Sequence, residues 1–279
     1  MSAGTTETPQ LTHYTLPSSL RINVASWAGP QQGSGRPLVL LHGIWDTWRT
    51  FEGVAGRLSA ERSVYALDLR GHGASDKPEE GYRHADYATD VLGVIEQLGF
   101  ERVDLLGFSL GSLVAGQLIA AAPGRVARLV LEDPPVSPGA DPRARAAWLA
   151  TLLELKRLPF EEVVEGLAEL NPTRDRATNE LSARVLIATA DGPFRALLAA
   201  QADAPELPAQ LGRAALPTLI LRADPAYGGA LTEAGRAALL AACPAARVVE
   251  FPGSGHLVHA ERADGFVAAV EGFLQEEAG

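Results

Sequence analysis

The chain has 279 residues, is 47% hydrophobic, and carries a formal net charge of −10 with a single cysteine, Cys243. That length allows one large α/β domain or two small ones, with a core that needs no staples. The charge makes nucleic acid and anionic membranes poor partners. One cysteine forbids an intrachain disulfide and fits a reducing cytoplasm, and no apolar run approaches the roughly 18 residues of a membrane-crossing helix.

In chain order, the start MSAGTTETPQ is small and polar, without the basic beginning or apolar run of a signal peptide, and is expected to be unordered. Residues 11–16 and 20–27 pattern as a β-hairpin around Pro17-Ser18-Ser19, followed by a Gly-, Pro- and Gln-rich loop over residues 29–36. Short continuous apolar runs then begin: PLVLL at 37–41, SVYALDL at 63–69, RVDLLGF at 102–108, VARLVL at 126–131, TLIL at 218–221 and RVVEF at 247–251. Strands buried on both faces of a parallel sheet read this way.

Helical spacing lies between the runs. Tyr87, Val91, Val94, Ile95 and Leu98 repeat ahead of Gly99; Leu113, Val114, Leu118 and Ile119 repeat ahead of Pro123; and Phe266, Val267, Val270, Phe273 and Leu274 form a last helix. The alternation predicts an α/β fold with a doubly wound, mostly parallel sheet. It breaks between residues 137 and 213, where helical stretches at 143–158, 160–170, 182–190 and 193–202 occur without a strand. That segment is too long for a bare loop. The expected organisation is therefore core at 1–136, a helical insertion at 137–213, and core again at 214–279. Heavy use of Ala, Arg, Gly and Pro points to a GC-rich bacterial gene.

The sharpest motif is Gly107-Phe108-Ser109-Leu110-Gly111, a G-x-S-x-G between a predicted strand and a predicted helix. A serine on so sharp a turn has a strained backbone, and side chains two positions to either side would strike neighbouring backbone. The turn lifts the hydroxyl above the sheet and places the Leu110 N–H at a helix start, ready to stabilise an oxyanion.

With this motif in view, the chain resembles the α/β-hydrolase superfamily over most of its length. Leu40-Leu41-His42-Gly43 is similar to that family's strand-end HG motif, which implies the N–H of Ile44 as second oxyanion donor. Residues 68–75, DLRGHGAS, resemble its structural D-x-R-G-x-G-x-S turn, and Gly253-Ser254-Gly255-His256 resembles the loop of its catalytic histidine. The insertion matches the family's helical cap, placed after the sixth strand.

Serine needs an adjacent base, and histidine has the right pKa. Of His13, His42, His72, His84, His256 and His259, the first lies in the N-terminal arm, His42 and His72 sit in turn motifs, and His84 lies in a polar loop. His256 follows the last strand on a Gly-rich loop and comes last in the family order of nucleophile, acid, histidine; His259 is its close rival. The acid that orients the imidazole stays open between two positions. The commonest family pattern, G-x-x-D after the seventh strand, fails here, because Ala226 stands where the acid would be and Asp224 arrives early. Asp133 ends the sixth strand 24 residues after Ser109, a register that resembles certain haloalkane dehalogenases and zearalenone-type lactonases. We favour Asp133 and keep Asp224 as the alternative. Glu132 is set aside because strand alternation points it away from Asp133.

These residues imply hydrolysis of a carboxylic ester or lactone through an acyl-enzyme at Ser109, with no metal or organic cofactor, in a cytoplasmic monomer or homodimer acting on a small molecule. Trp45, Phe108 and Trp148 are expected at the pocket and favour an apolar or aromatic substrate. Trp48 follows Trp45 on the oxyanion loop. Leu149, Leu152, Leu153 and Leu155 either face the pocket or pack the cap. Carbon–carbon hydrolysis, perhydrolysis and acyl transfer stay open, as does slow-turnover ligand sensing; the serine at 109 disfavours the aspartate-dependent dehalogenase and epoxide hydrolase chemistries.

Overall fold

The computed structural model describes residues 8–30, 35–136, 138, 141–171, 174–199 and 207–276. The expectations for residues 1–7, for part of the 29–36 loop, and for the start of the insertion at Ser137 lie outside the described residues.

The hairpin forms as β1 (Gln10–Thr15) and β2 (Arg21–Trp27), paired antiparallel from Gln10↔Ser26 to Thr15↔Arg21. Six further strands follow: β3 (Leu38–Leu41), β4 (Val64–Leu67), β5 (Val103–Phe108), β6 (Val126–Glu132), β7 (Thr218–Ala223) and β8 (Arg247–Phe251). The sheet order is β1-β2-β4-β3-β5-β6-β7-β8. β2 meets β4 antiparallel, and the pairs from β4 through β8 are parallel.

Strand alternation divides the core into two layers. On β3, Val39 and Leu41 join the cluster under α2 (His84–Gln97) and α3 (Leu110–Ala121), whereas Leu38 and Leu40 join the cluster under α1 (Glu52–Leu58) and α11 (Ala263–Gln275). The period of two that makes both faces apolar is the reason the strand runs are unbroken Leu and Val. On β5 the same alternation sends Leu106 and Phe108 to the α1/α11 side.

Between β6 and β7 come α4 (Pro142–Leu155), α5 (Phe160–Leu170), α6 (Arg176–Ala188), α7 (Asp191–Ala199) and α8 (Leu207–Ala214). The first four enclose their own cluster of Leu149, Leu152, Val163, Leu167, Leu186 and Phe194, against which Ile44 and Trp45 pack. The leucines of α4 thus hold the insertion together rather than line a pocket. Each fully buried Leu contributes about 1.5–3 kcal/mol. A backbone bond from Ala190 N–H to the Gly71 carbonyl (2.8 Å) ties this unit to the core. By contrast, α8 lies on α3: Leu207 and Leu211 belong to the α2/α3 cluster, and Gln210 donates to Gln117 at 2.9 Å. Within the stretch expected as the insertion, α8 thus spends its apolar face on the core.

Candidate active site

The five non-glycine residues with positive φ among those described are Ser19, Trp45, Ser109, Asp133 and Ala215. Three of them gather where β3, β5 and β6 end. Each such conformation costs about 1–3 kcal/mol and persists only where its surroundings enforce it.

Ser109 sits at φ 51, ψ −113 immediately before α3. Its N–H donates to the Glu132 carbonyl (3.1 Å), and the Gly111 N–H donates to the His42 carbonyl (3.1 Å). The two glycines of the motif are sterically required. A Cβ on Gly107 would lie 2.4 Å from the Gly111 carbonyl oxygen, and one on Gly111 would lie 2.2 Å from that of Leu41. The HG loop lies against the nucleophile, since a Cβ on Gly43 would come within 3.3 Å of Ser109 Cβ. Among the described residues no acceptor faces the N–H of Ile44 or of Leu110.

The loop is braced from below. The Trp48 N–H donates to Asp68 Oδ1 (2.9 Å), while Asp68 Oδ2 accepts from Asn23 Nδ2 and the Ala74 N–H (both 2.9 Å). His42 Nδ1–H donates to the Gly43 carbonyl (2.7 Å), and its bare Nε2 accepts the Leu69 N–H (3.0 Å). Burial pushes His42 down to about 4, and burial together with His42 pushes His72 down to about 3. Both are structural neutral rings, too weakly basic for general-base work near neutral pH. Trp48, next to the Trp27 ring, belongs to the core.

Asp133 and His256 come together. His256 Nδ1 donates to Asp133 Oδ2 at 2.6 Å; the carboxylate is fully buried and the imidazole is 28% exposed. The Ala230 N–H (2.6 Å, to Oδ2) and the Leu231 N–H (3.2 Å, to Oδ1) hold Asp133 from the other side. Asp224 takes a different place. Its Oδ1 caps the Ala226 N–H and its Oδ2 accepts the Gly253 N–H, both at 2.9 Å, clamping the end of β7 to the histidine loop. Those two backbone bonds hold its carboxyl below the ordinary aspartate range.

His259 and Glu132 pair with each other. His259 Nδ1 lies 2.7 and 2.9 Å from the two Glu132 oxygens, and its own N–H donates to Oε1 at 2.9 Å. Phe108, expected at the pocket, is instead 3% exposed on the α1/α11 side. Its ring centroid is 4.8 Å from that of His256 and 5.1 Å from that of His259. Its ring also lies against the HG loop, since a Cβ on Gly43 would come within 2.8 Å of it, so it is a buried wedge between that loop and the histidine loop. Trp45 and Trp148 do meet, with ring centroids 5.2 Å apart, and Trp148 is 41% exposed. Phe194, which no motif marked, stacks on Trp45 at 6.3 Å.

The alpha/beta hydrolase family profile matches residues 38–269. The chain belongs to the alpha/beta hydrolase family. Over 103 residues it is 40% identical to 2-(acetamidomethylene)succinate hydrolase of Mesorhizobium japonicum, a match covering 37% of each protein. Over 174 residues it is 31% identical to 3-hydroxybutyrate-oligomer hydrolase of Cupriavidus necator, covering 60% of this chain and 58% of that one. These matches span well under two thirds of either relative. Among solved structures, an esterase from a Rhodococcus species superposes with a TM-score of 0.78 at 25% identity, covering 95% of this chain and 98% of the other. Among the described residues, no helix is long and apolar enough to cross a membrane.

Proposed function

We propose that this hydrolase cleaves a carboxylic ester or lactone of a small-to-medium apolar or aromatic molecule through an acyl-enzyme at Ser109. The observation that carries the reading is the 2.6 Å bond between His256 Nδ1 and buried Asp133, which leaves Nε2 of a part-exposed ring as the proton acceptor. Ser109 Oγ attacks the carbonyl carbon while His256 Nε2 takes its proton, and Asp133 stabilises the imidazolium. The N–H groups of Ile44 and Leu110 receive the oxyanion. His256 returns the proton to the departing alkoxide, and water activated by His256 then releases the acid.

An apolar substrate is supported by Trp45 and Trp148, whose rings meet beside the oxyanion loop, with Phe194 buried behind Trp45. The solved esterase supports ester cleavage. The match to 2-(acetamidomethylene)succinate hydrolase supports a second reading, in which the same groups hydrolyse a bond other than an ester or lactone. Turnover of a panel of chromogenic short-chain esters and aromatic lactones, compared with Ser109→Ala, decides between them. Ester turnover lost in the variant supports the proposal; wild-type protein inert to every ester and lactone overturns it.

A further inference from the structure

Two carboxylates stand side by side at the end of β6, and each holds a histidine of the same short loop. Asp133 holds His256; Glu132 holds His259, three residues later. The second pair is fully buried on both sides. Its geometry is that of a charged pair. Glu132 offers both oxygens to one ring nitrogen, and a buried carboxylate without a counter-charge is strongly disfavoured. On the far side His259 Nε2 meets Thr50 Oγ at 2.7 Å. The Thr50 hydroxyl oxygen lies where it can receive an N–H from His259. Both ring nitrogens thus face oxygens, a set of partners that suits an imidazolium.

We propose that Glu132 and His259 form a buried ion pair that positions the histidine loop and cancels the charge next to Asp133, so that one carboxylate, not two, acts on His256. This rests on the serine-hydrolase reading above. Both residues act through others and are positioning residues. The coupling acts through space: the Phe108 ring lies between the two imidazoles, which places them at most about 10 Å apart, within reach of a charge in a protein interior. Burial alone would make His259 a weaker base, but Glu132, with smaller help from Asp46 and Glu261, holds it above the ordinary histidine range. The other groups packed here are uncharged: Phe51 from the turn before α1, and Phe266 from α11.

Two measurements test the pair. The first uses wild-type protein labelled with nitrogen-15 at histidine and needs no turnover, so it stands apart from the esterase reading. At pH about 8, where free histidine is neutral, the His259 ring is expected to show two protonated nitrogens. A neutral ring overturns the proposal. The second follows kcat/KM for an aromatic ester against pH. His259→Gln strips the cation, and wherever Glu132 then stays ionised its charge beside Asp133 moves the acid limb up by roughly one unit. Glu132→Gln added to it removes the stray charge and returns the limb to the wild-type position. Asp46→Asn leaves the limb in place, separating this carboxyl, which burial raises to about 6, from the effect. An unmoved limb with Glu132 still ionised, as its carboxylate band in the infrared difference between the single and double variants reports, contradicts charge cancellation, whereas a protonated Glu132 shows that its charge depends on His259 and supports the ion pair. Failure of Ser109→Ala to abolish turnover would instead sink the esterase reading and leave the first measurement standing.

Discussion

The two histidine–carboxylate pairs are built from neighbouring residues and differ chiefly in what surrounds them. His256 keeps 28% of its side chain exposed and reaches Asp133, whose other contacts are two backbone N–H groups. His259 is sealed between Phe51, Phe108 and Phe266 and has partners on both ring nitrogens. The same chemistry is reactive where one nitrogen is left free at a surface, and structural where both are taken. The difference lies in exposure and unspent hydrogen-bonding capacity, not in residue type.

The largest expected effect separates the pairs outright. His256→Ala should lower kcat by about 10⁵–10⁶-fold while the melting temperature stays near wild type, because the Ala230 and Leu231 N–H groups still hold Asp133. His259→Ala should do the reverse, costing about 3–5 kcal/mol of stability by stranding buried Glu132, read by denaturant unfolding. Next comes the acid: Asp133→Asn should lower kcat about 10⁴-fold by losing the correct imidazole tautomer. If Asp224→Asn does this instead, the assignment is reversed.

Much of the site was legible because its causes are local. G-x-S-x-G fixes a turn through collisions at Gly107 and Gly111, and the apolar run at 102–108 marks the strand that carries it. The acid was not legible. Asp133 and Asp224 both end strands, and the choice depends on Ala230 and Leu231 reaching back to one and Gly253 to the other, contacts across about 100 and 29 positions of chain. Phe108 was placed at the pocket by its adjacency to Ser109, but its ring is buried between the HG loop and the histidine loop. The same period that set Glu132 aside as triad acid also placed it on the side where His259 lies. Phe194 had no signal, since nothing in α7 ties it to Trp45 before the chain folds.

Smaller effects sharpen the contrast between wall and frame. Trp148→Ala should raise KM for an aromatic ester about tenfold with kcat little changed, and its stability should stay within about 0.5 kcal/mol, as for exposed positions. Asp224→Asn should leave kcat within a few-fold of wild type but change acid stability. Because its folded pKa is depressed, Asp224 stabilises the fold above the pKa of the unfolded carboxyl, and that contribution is lost as pH falls through the folded value. Wild-type and variant melting temperatures should therefore converge below about pH 4.

The most direct test of the account is intact-mass and peptide mapping after brief exposure to an aromatic ester or a fluorophosphonate. The account predicts one adduct on the peptide bearing Ser109, absent in Ser109→Ala, formed much more slowly in Asp133→Asn, and formed at close to the wild-type rate in Asp224→Asn. An adduct on another residue, or none while ester is still being cleaved, would contradict it.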